Sequence, residues 1–257
     1  MVTRKQVQPR EELEQQDQHK HKHQPASNGL KIKLDHLKTF EPLTDNQRLF
    51  FDMYRGGGYF MGLFGSPGVG KTFLAMYKAL EEVLAKDNSF KHIVVVRSVV
   101  PTRDVGFLPG TLEEKQEIYE LPYKEICATL FGRPDAWDRL KEQGYARFIS
   151  TTAIRGISID DAIIIVDENQ NLNWSEVNTI ITRVGHRSKI IFCGDFKQTD
   201  LNRKEREGFL QFSNILHRMD SFDFIEFGTE DIVRSGLVKE YIITKPMCKE
   251  TLSTKIN

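Results

Sequence analysis

Apolar residues along this chain fall into short unbroken runs, separated by longer stretches of helical periodicity. Tyr59–Phe64, His92–Arg97 (HIVVVR), Ala162–Val166 (AIIIV) and Lys189–Cys193 (KIIFC) are such runs, and Arg147–Ser150 is a weaker one. Continuous β-branched runs, in place of alternation, predict strands covered on both faces, as in a parallel sheet. After the first run, Thr72–Leu84 places Phe73, Leu74, Tyr77, Leu80 and Leu84 on one helical face. Strands joined by helices make βαβ units, so the fold class is α/β, a mostly parallel sheet with helices on both faces. Asn173, with Glu176 three residues later, predicts a helix N-cap, and Gly185 closes that helix near Arg183. A helical insertion at about 108–145 breaks the rhythm. Leu112–Leu130 is helical in pattern but contains Pro122, which is expected to kink or split it. Trp137–Gln143 is a second short helix.

The two ends differ from this middle. Residues 1–29 carry six Gln and only Met1, Val2, Val7, Leu13 and Ala26 as apolar residues. Such a segment cannot offset its ordering entropy, which predicts a disordered polar tail. Its HKHKH run, His19 to His23, reads as solvated. Residues 30–245 read as a single domain, and 246–257 as a short frayed C-terminal tail.

Composition narrows the function classes. Lys+Arg and Asp+Glu are both 36 in 257 residues, so the chain has no net charge. Nucleic-acid binding would therefore need a local basic patch. No run approaches the roughly 18 apolar residues of a membrane helix. No apolar run follows the early charges, so no signal peptide is expected. The three cysteines (Cys127, Cys193, Cys248) have neither metal nor disulfide spacing. A reducing, cytoplasmic location is the simplest reading.

The strongest local signal is Gly65-Ser66-Pro67-Gly68-Val69-Gly70-Lys71-Thr72, which matches G-x-x-x-x-G-K-[ST] between a predicted strand and a predicted helix. Glycines let backbone N–H groups curl around one anion, and the helix N-terminus adds partial positive charge. Residues Gly65 to Phe73 are thus the expected ATP-binding residues. Lys71 would reach the β- and γ-phosphates, and the Thr72 hydroxyl would ligate Mg²⁺.

Two carboxylates, Asp167 and Glu168, end the Ala162–Val166 run, where a parallel strand faces the nucleotide crevice. Asp167 is suited to hold Mg²⁺, and Glu168 to orient and deprotonate an attacking water. Gly194-Asp195-Phe196-Lys197-Gln198 follows the KIIFC run. The Gln198 amide can donate to phosphate and accept from water.

Together these residues resemble the PhoH family of phosphate-loop ATPases, related to superfamily 1 helicase cores. The likeness runs from about Pro42 to Val238. Besides the phosphate loop it includes Leu43–Gln47, VVRSVVP, Gly106-Phe107-Leu108-Pro109-Gly110, Arg155-Gly156, IIIVDENQN, Thr182–Gly185, GDFKQTDL and Asp231–Arg234. Asn169 stands where the family commonly has Ala, and Phe196-Lys197 replaces a usual Pro-Ser. The resemblance implies a RecA-like phosphate-loop core and association with nucleic acid. It also implies that Gln47 reads adenine through its N6 and N7 edge.

ATP hydrolysis by such cores usually uses an arginine beside the transferring phosphate. Arg234 and Arg183 are the candidates, with Arg234 preferred and supplied by a neighbouring subunit. Arg97, Ser98, Thr151, Thr152 and Arg155 lie in strand-end loops suited to phosphate contacts along RNA or single-stranded DNA. Few residues follow the last core motif, whereas a second RecA-like domain takes on the order of 150. The other wall of the ATP site is therefore expected from another copy, in a head-to-tail ring with a hexamer favoured. The leading expectation is an ATP-driven, helicase-like enzyme. The alternative is a nucleotide-dependent oligomeric switch that does not translocate.

Overall fold

The computed structural model describes residues 31–99, 112–195 and 211–254. Six strands, β1 (Phe60–Gly65), β2 (His92–Arg97), β3 (Ala146–Ser150), β4 (Ala162–Val166), β5 (Lys189–Gly194) and β6 (Asp223–Phe227), form one sheet in the order β3-β2-β4-β5-β1-β6. Every neighbouring pair is parallel. The unbroken apolar runs become strands with no solvent face, as in β1, β4 and β5, where every residue is buried. Because β5 lies between β1 and β4, the ends of three adjacent strands bring the phosphate loop, the acidic pair and Gly194 to one carboxyl edge.

Helices cover both faces. On one face α1 (Asp45–Arg55), α2 (Lys71–Leu84), α3 (Leu112–Phe131) and α4 (Ala136–Glu142) enclose a core including Phe50, Leu74, Leu80, Tyr123 and Trp137. On the other, α5 (Trp174–Ile181) and helical residues 211–216, through Phe212, pack over Ile164, Val166 and Phe192. The chain is thus a RecA-like phosphate-loop fold, with α3 and α4 as the helical insertion between β2 and β3.

The local expectations meet the structure unevenly. Asn173 caps α5 in a reciprocal box with Glu176, at 3.0 Å each way. The helix ends at Ile181, earlier than expected, and Gly185 instead donates its N–H to the Ile159 carbonyl. Pro122 does not split α3, which continues through it. The carbonyl that loses its donor belongs to Ile118, on a solvent-exposed stretch where water can serve it. Helix α1 and strand β6 were not expected. The final helix, Gly236–Thr254, continues past Pro246, where a frayed tail was predicted. From Lys31 onward the chain forms one unit. The 1–29 tail, Gly106–Gly110, Phe196, Lys197 and Gln198 lie outside the described residues.

Candidate active site

The phosphate loop is braced from three sides. Gly65 has φ +121°, and a Cβ there would lie 2.1 Å from the Phe227 carbonyl, so only glycine fits. Ser66 donates its N–H to that same carbonyl at 3.1 Å. Val233 donates to the Gly68 carbonyl at 3.1 Å, and the Arg234 side chain packs over Gly68. Beneath the loop, Val69 is buried and its carbonyl accepts from Gln47 Nε2 at 3.1 Å.

Lys71 and Thr72 open α2. Lys71 Nζ donates to the Gly65 and Ser66 carbonyls at 2.9 and 2.8 Å. Burial pulls its ammonium below the ordinary lysine value, opposed by Asp195, Cys193, Glu168 and Asp167 around it. Thr72 Oγ1 donates to Asp167 Oδ1 at 2.6 Å, across the gap between α2 and the end of β4. The structure thus brings together the two residues expected to hold Mg²⁺. Their hard oxygen donors fit that ion, which takes few protein ligands and keeps water and phosphate oxygens.

Glu168 follows with φ 51° and ψ 42°, a left-handed conformation that costs a non-glycine residue on the order of 1 kcal/mol or more. Its Oε2 accepts from Gln170 Nε2 at 2.5 Å. The other end of that amide, Oε1, accepts from the Asp195 N–H at 3.0 Å. Gln170 therefore ties the proposed base to the end of β5. Sequence reasoning missed it, although it stands inside the quoted DENQN box. Gly194 is needed for the same junction, because a Cβ would meet Asn169 Oδ1 at 1.6 Å.

These groups line a cleft of about 470 Å³. One side is the loop, from Pro67 to Phe73, with Arg234; the floor is Asp167, Glu168, Cys193, Gly194 and Asp195. The opposite side is α3, through Pro122, Glu125, Ile126 and Thr129. Helix α3 thus lines the cleft from within the same chain.

Two further roles change. Gln47 is 1% exposed, and its Oε1 accepts from the Leu43 N–H at 2.8 Å while its Nε2 serves Val69. Buried and with both amide ends engaged, it braces the loop at a position where an adenine reader was expected. Arg234 lies on its own chain's loop, so it needs no neighbour to reach the cleft. Arg183 does not line the cleft. Its carbonyl accepts from Ile159, just before β4, which places it at the opposite end of the sheet, with its Nε buried and without a hydrogen-bond partner among the described residues. The Asp231–Arg234 segment is itself held by a buried Asp231, which accepts from Asn46 Nδ2 at 2.8 Å and the Gly228 N–H at 2.9 Å.

The expected nucleic-acid residues divide. Arg97 turns inward. Burial works against its charge, and Tyr123, Asp167 and Glu168 outweigh that cost and raise it. Ser98 and Thr151 both donate to Glu176 Oε1, at 3.0 and 2.5 Å. Thr152 pairs with Ser150 at 2.9 Å, and Arg155 is exposed in a turn.

The family described as "PhoH-like protein" matches residues 39–244, most of the chain. The chain belongs to the PhoH family. A PhoH-like protein of Mycobacterium leprae is 33% identical over 214 residues, covering 83% of this chain and 60% of its own length. One from Bacillus subtilis is 32% identical over 206 residues, 80% of this chain and 63% of the relative. Protein PhoH of Escherichia coli is 33% identical over 178 residues, 67% and 49% respectively. This PhoH-family chain therefore spans about 60% of the length of the first two. Among solved structures, unliganded Pif1 from Bacteroides is similar at a TM-score of 0.41 and 12% identity, covering 76% of this chain and 43% of that one. The fold assignment rests on this chain's own sheet order and phosphate loop.

Proposed function

We propose that this PhoH-family protein hydrolyses ATP with Mg²⁺ and acts as a helicase-like motor on RNA or single-stranded DNA, in the cytoplasm and as an oligomer. One observation supports this most directly: Thr72 and Asp167 meet at 2.6 Å beside Lys71 and Glu168. Lys71 and the loop N–H groups would bind the phosphates and orient the γ-phosphoryl group. Glu168, held by Gln170, would position a water and accept its proton. Arg234 would meet charge on the transferring oxygens from within the same chain. Thr72 and Asp167 would hold Mg²⁺, which when bound neutralises phosphate charge.

The nucleic-acid side has less support in the geometry. Arg97, Ser98 and Thr151 are engaged inside the protein. This favours keeping a second reading, a nucleotide-dependent assembly switch without translocation. ATPase rates with and without single-stranded RNA or DNA, measured together with assembly size, test the two. Strong stimulation supports the motor. Nucleotide-dependent assembly with no stimulation supports the switch, and no Mg²⁺-dependent hydrolysis at all overturns the ATPase.

A further inference from the structure

We propose that Tyr123, on the inserted helix α3, is a positioning residue that sets the orientation of Asp167 for the metal. This rests on the ATPase reading above. Asp167 is 4% exposed, and each of its oxygens has one hydroxyl donor. Oδ1 accepts from Thr72 at 2.6 Å and Oδ2 accepts from Tyr123 at 2.8 Å. The Thr72 hydroxyl would turn to the metal with Oδ1 when the ion binds, which leaves Tyr123 as the donor that keeps the carboxylate plane in place.

The tyrosine is built as a rigid strut. Its side chain is fully buried. Its ring packs against Trp137 at 5.8 Å and Phe148 at 6.0 Å between centroids. That packing joins both helices of the insertion and strand β3 to one hydroxyl. Arg97 donates a hydrogen bond to the same hydroxyl and adds positive charge beside Asp167. A buried carboxylate with one oxygen unpaired would pay for its desolvation and lose its aim. The insertion therefore holds the Asp167 carboxylate through Tyr123, and a shift of α3 would turn that carboxylate.

The test is Tyr123→Phe in the full chain, which keeps the ring and removes the hydroxyl. Nucleotide affinity is measured with a fluorescent ADP in EDTA and across a Mg²⁺ titration, and ATP hydrolysis across the same titration. The expected result is a half-saturating Mg²⁺ concentration raised roughly 10–100-fold, as for other groups that orient a metal ligand, with affinity in EDTA within twofold of wild type. An unchanged Mg²⁺ dependence overturns the proposal. So does an equal loss in EDTA, which marks a merely structural role. Should Tyr123→Phe fail to fold, Phe148→Leu keeps the hydroxyl but removes one of the rings that hold it, and is expected to raise the half-saturating Mg²⁺ in the same direction, by less. An unshifted Mg²⁺ dependence in that variant overturns the proposal too. The binding arm does not depend on turnover. A wild type that binds nucleotide with Mg²⁺ but never hydrolyses ATP defeats the ATPase reading and leaves this one standing.

Discussion

Gln47 Nε2 donates to the Val69 carbonyl at 3.1 Å, tying α1 to the middle of the phosphate loop. Its other amide atom is spent on Leu43. Gln47→Ala should therefore weaken ATP and GTP binding alike, by the roughly 0.5–1.5 kcal/mol of a lost hydrogen bond, a few-fold in Kd. Titration with both nucleotides checks this. A loss confined to adenine nucleotides would restore the adenine-reading role.

Arg234 gives a subunit-mixing prediction. Its side chain packs over Gly68 of its own loop. Arg234→Ala and Lys71→Ala should each lose hydrolysis, by on the order of 10³ or more for the arginine. Mixing the two variants should recover nothing, because each site lacks one of its own residues. Recovered turnover would mean that the arginine acts across a subunit boundary.

Glu168→Gln should bind ATP within a few-fold of wild type and hydrolyse it roughly 10²–10⁴ times more slowly, the range for a removed general base. The bond to Gln170 can persist through the new side chain's oxygen, so the strained turn should hold. Near-normal turnover in this variant would sink the assignment of the base.

Asn169 carries a cost that can be removed. Its side chain is fully buried, and among the described residues neither its Oδ1 nor its Nδ2 has a hydrogen-bond partner. Asn169→Ala should stabilise the protein by about 1 kcal/mol, because an unpaired buried polar group costs roughly 1–3 kcal/mol and the small void returns part of that. Urea unfolding measures it. A lower midpoint would show that the amide finds a partner in solution.

Lys71 sets an alkaline limit. Burial lowers its folded pKa, so the ammonium that meets phosphate is complete below that value and lost as pH rises through it. Nucleotide affinity should fall with a midpoint below the 10.5 of an ordinary lysine. A binding curve against pH tests this, and a midpoint at or above that value contradicts it.

Much of this was legible along the chain. The AIIIV, HIVVVR and KIIFC runs became central strands because burial on both faces demands continuous apolar residues. The phosphate loop was legible because its glycines, lysine and threonine act through local backbone geometry. Strand β6 was not, since its burial is uneven: Ile225 and Phe227 are inside while Asp223, Phe224 and Glu226 face out at the sheet edge. Helix α1 was overlooked although Thr44 caps it by accepting from the Gln47 N–H at 3.3 Å.

By itself, the sequence determined the α/β class, the strands of the sheet's interior, the phosphate loop and the acidic pair, all written in neighbouring residues. Only the tertiary structure decided their partners. Tyr123 lies 44 positions from Asp167, and Thr72 lies 95 from it. Arg97 and Arg234 likewise took their places from the way the sheet is ordered. Periodicity states which side of an element is buried, but not what it is buried against. That depends on strand order and on where the insertion packs, and here it set Gln47 against the phosphate loop and turned Arg97 toward Tyr123 and Asp167.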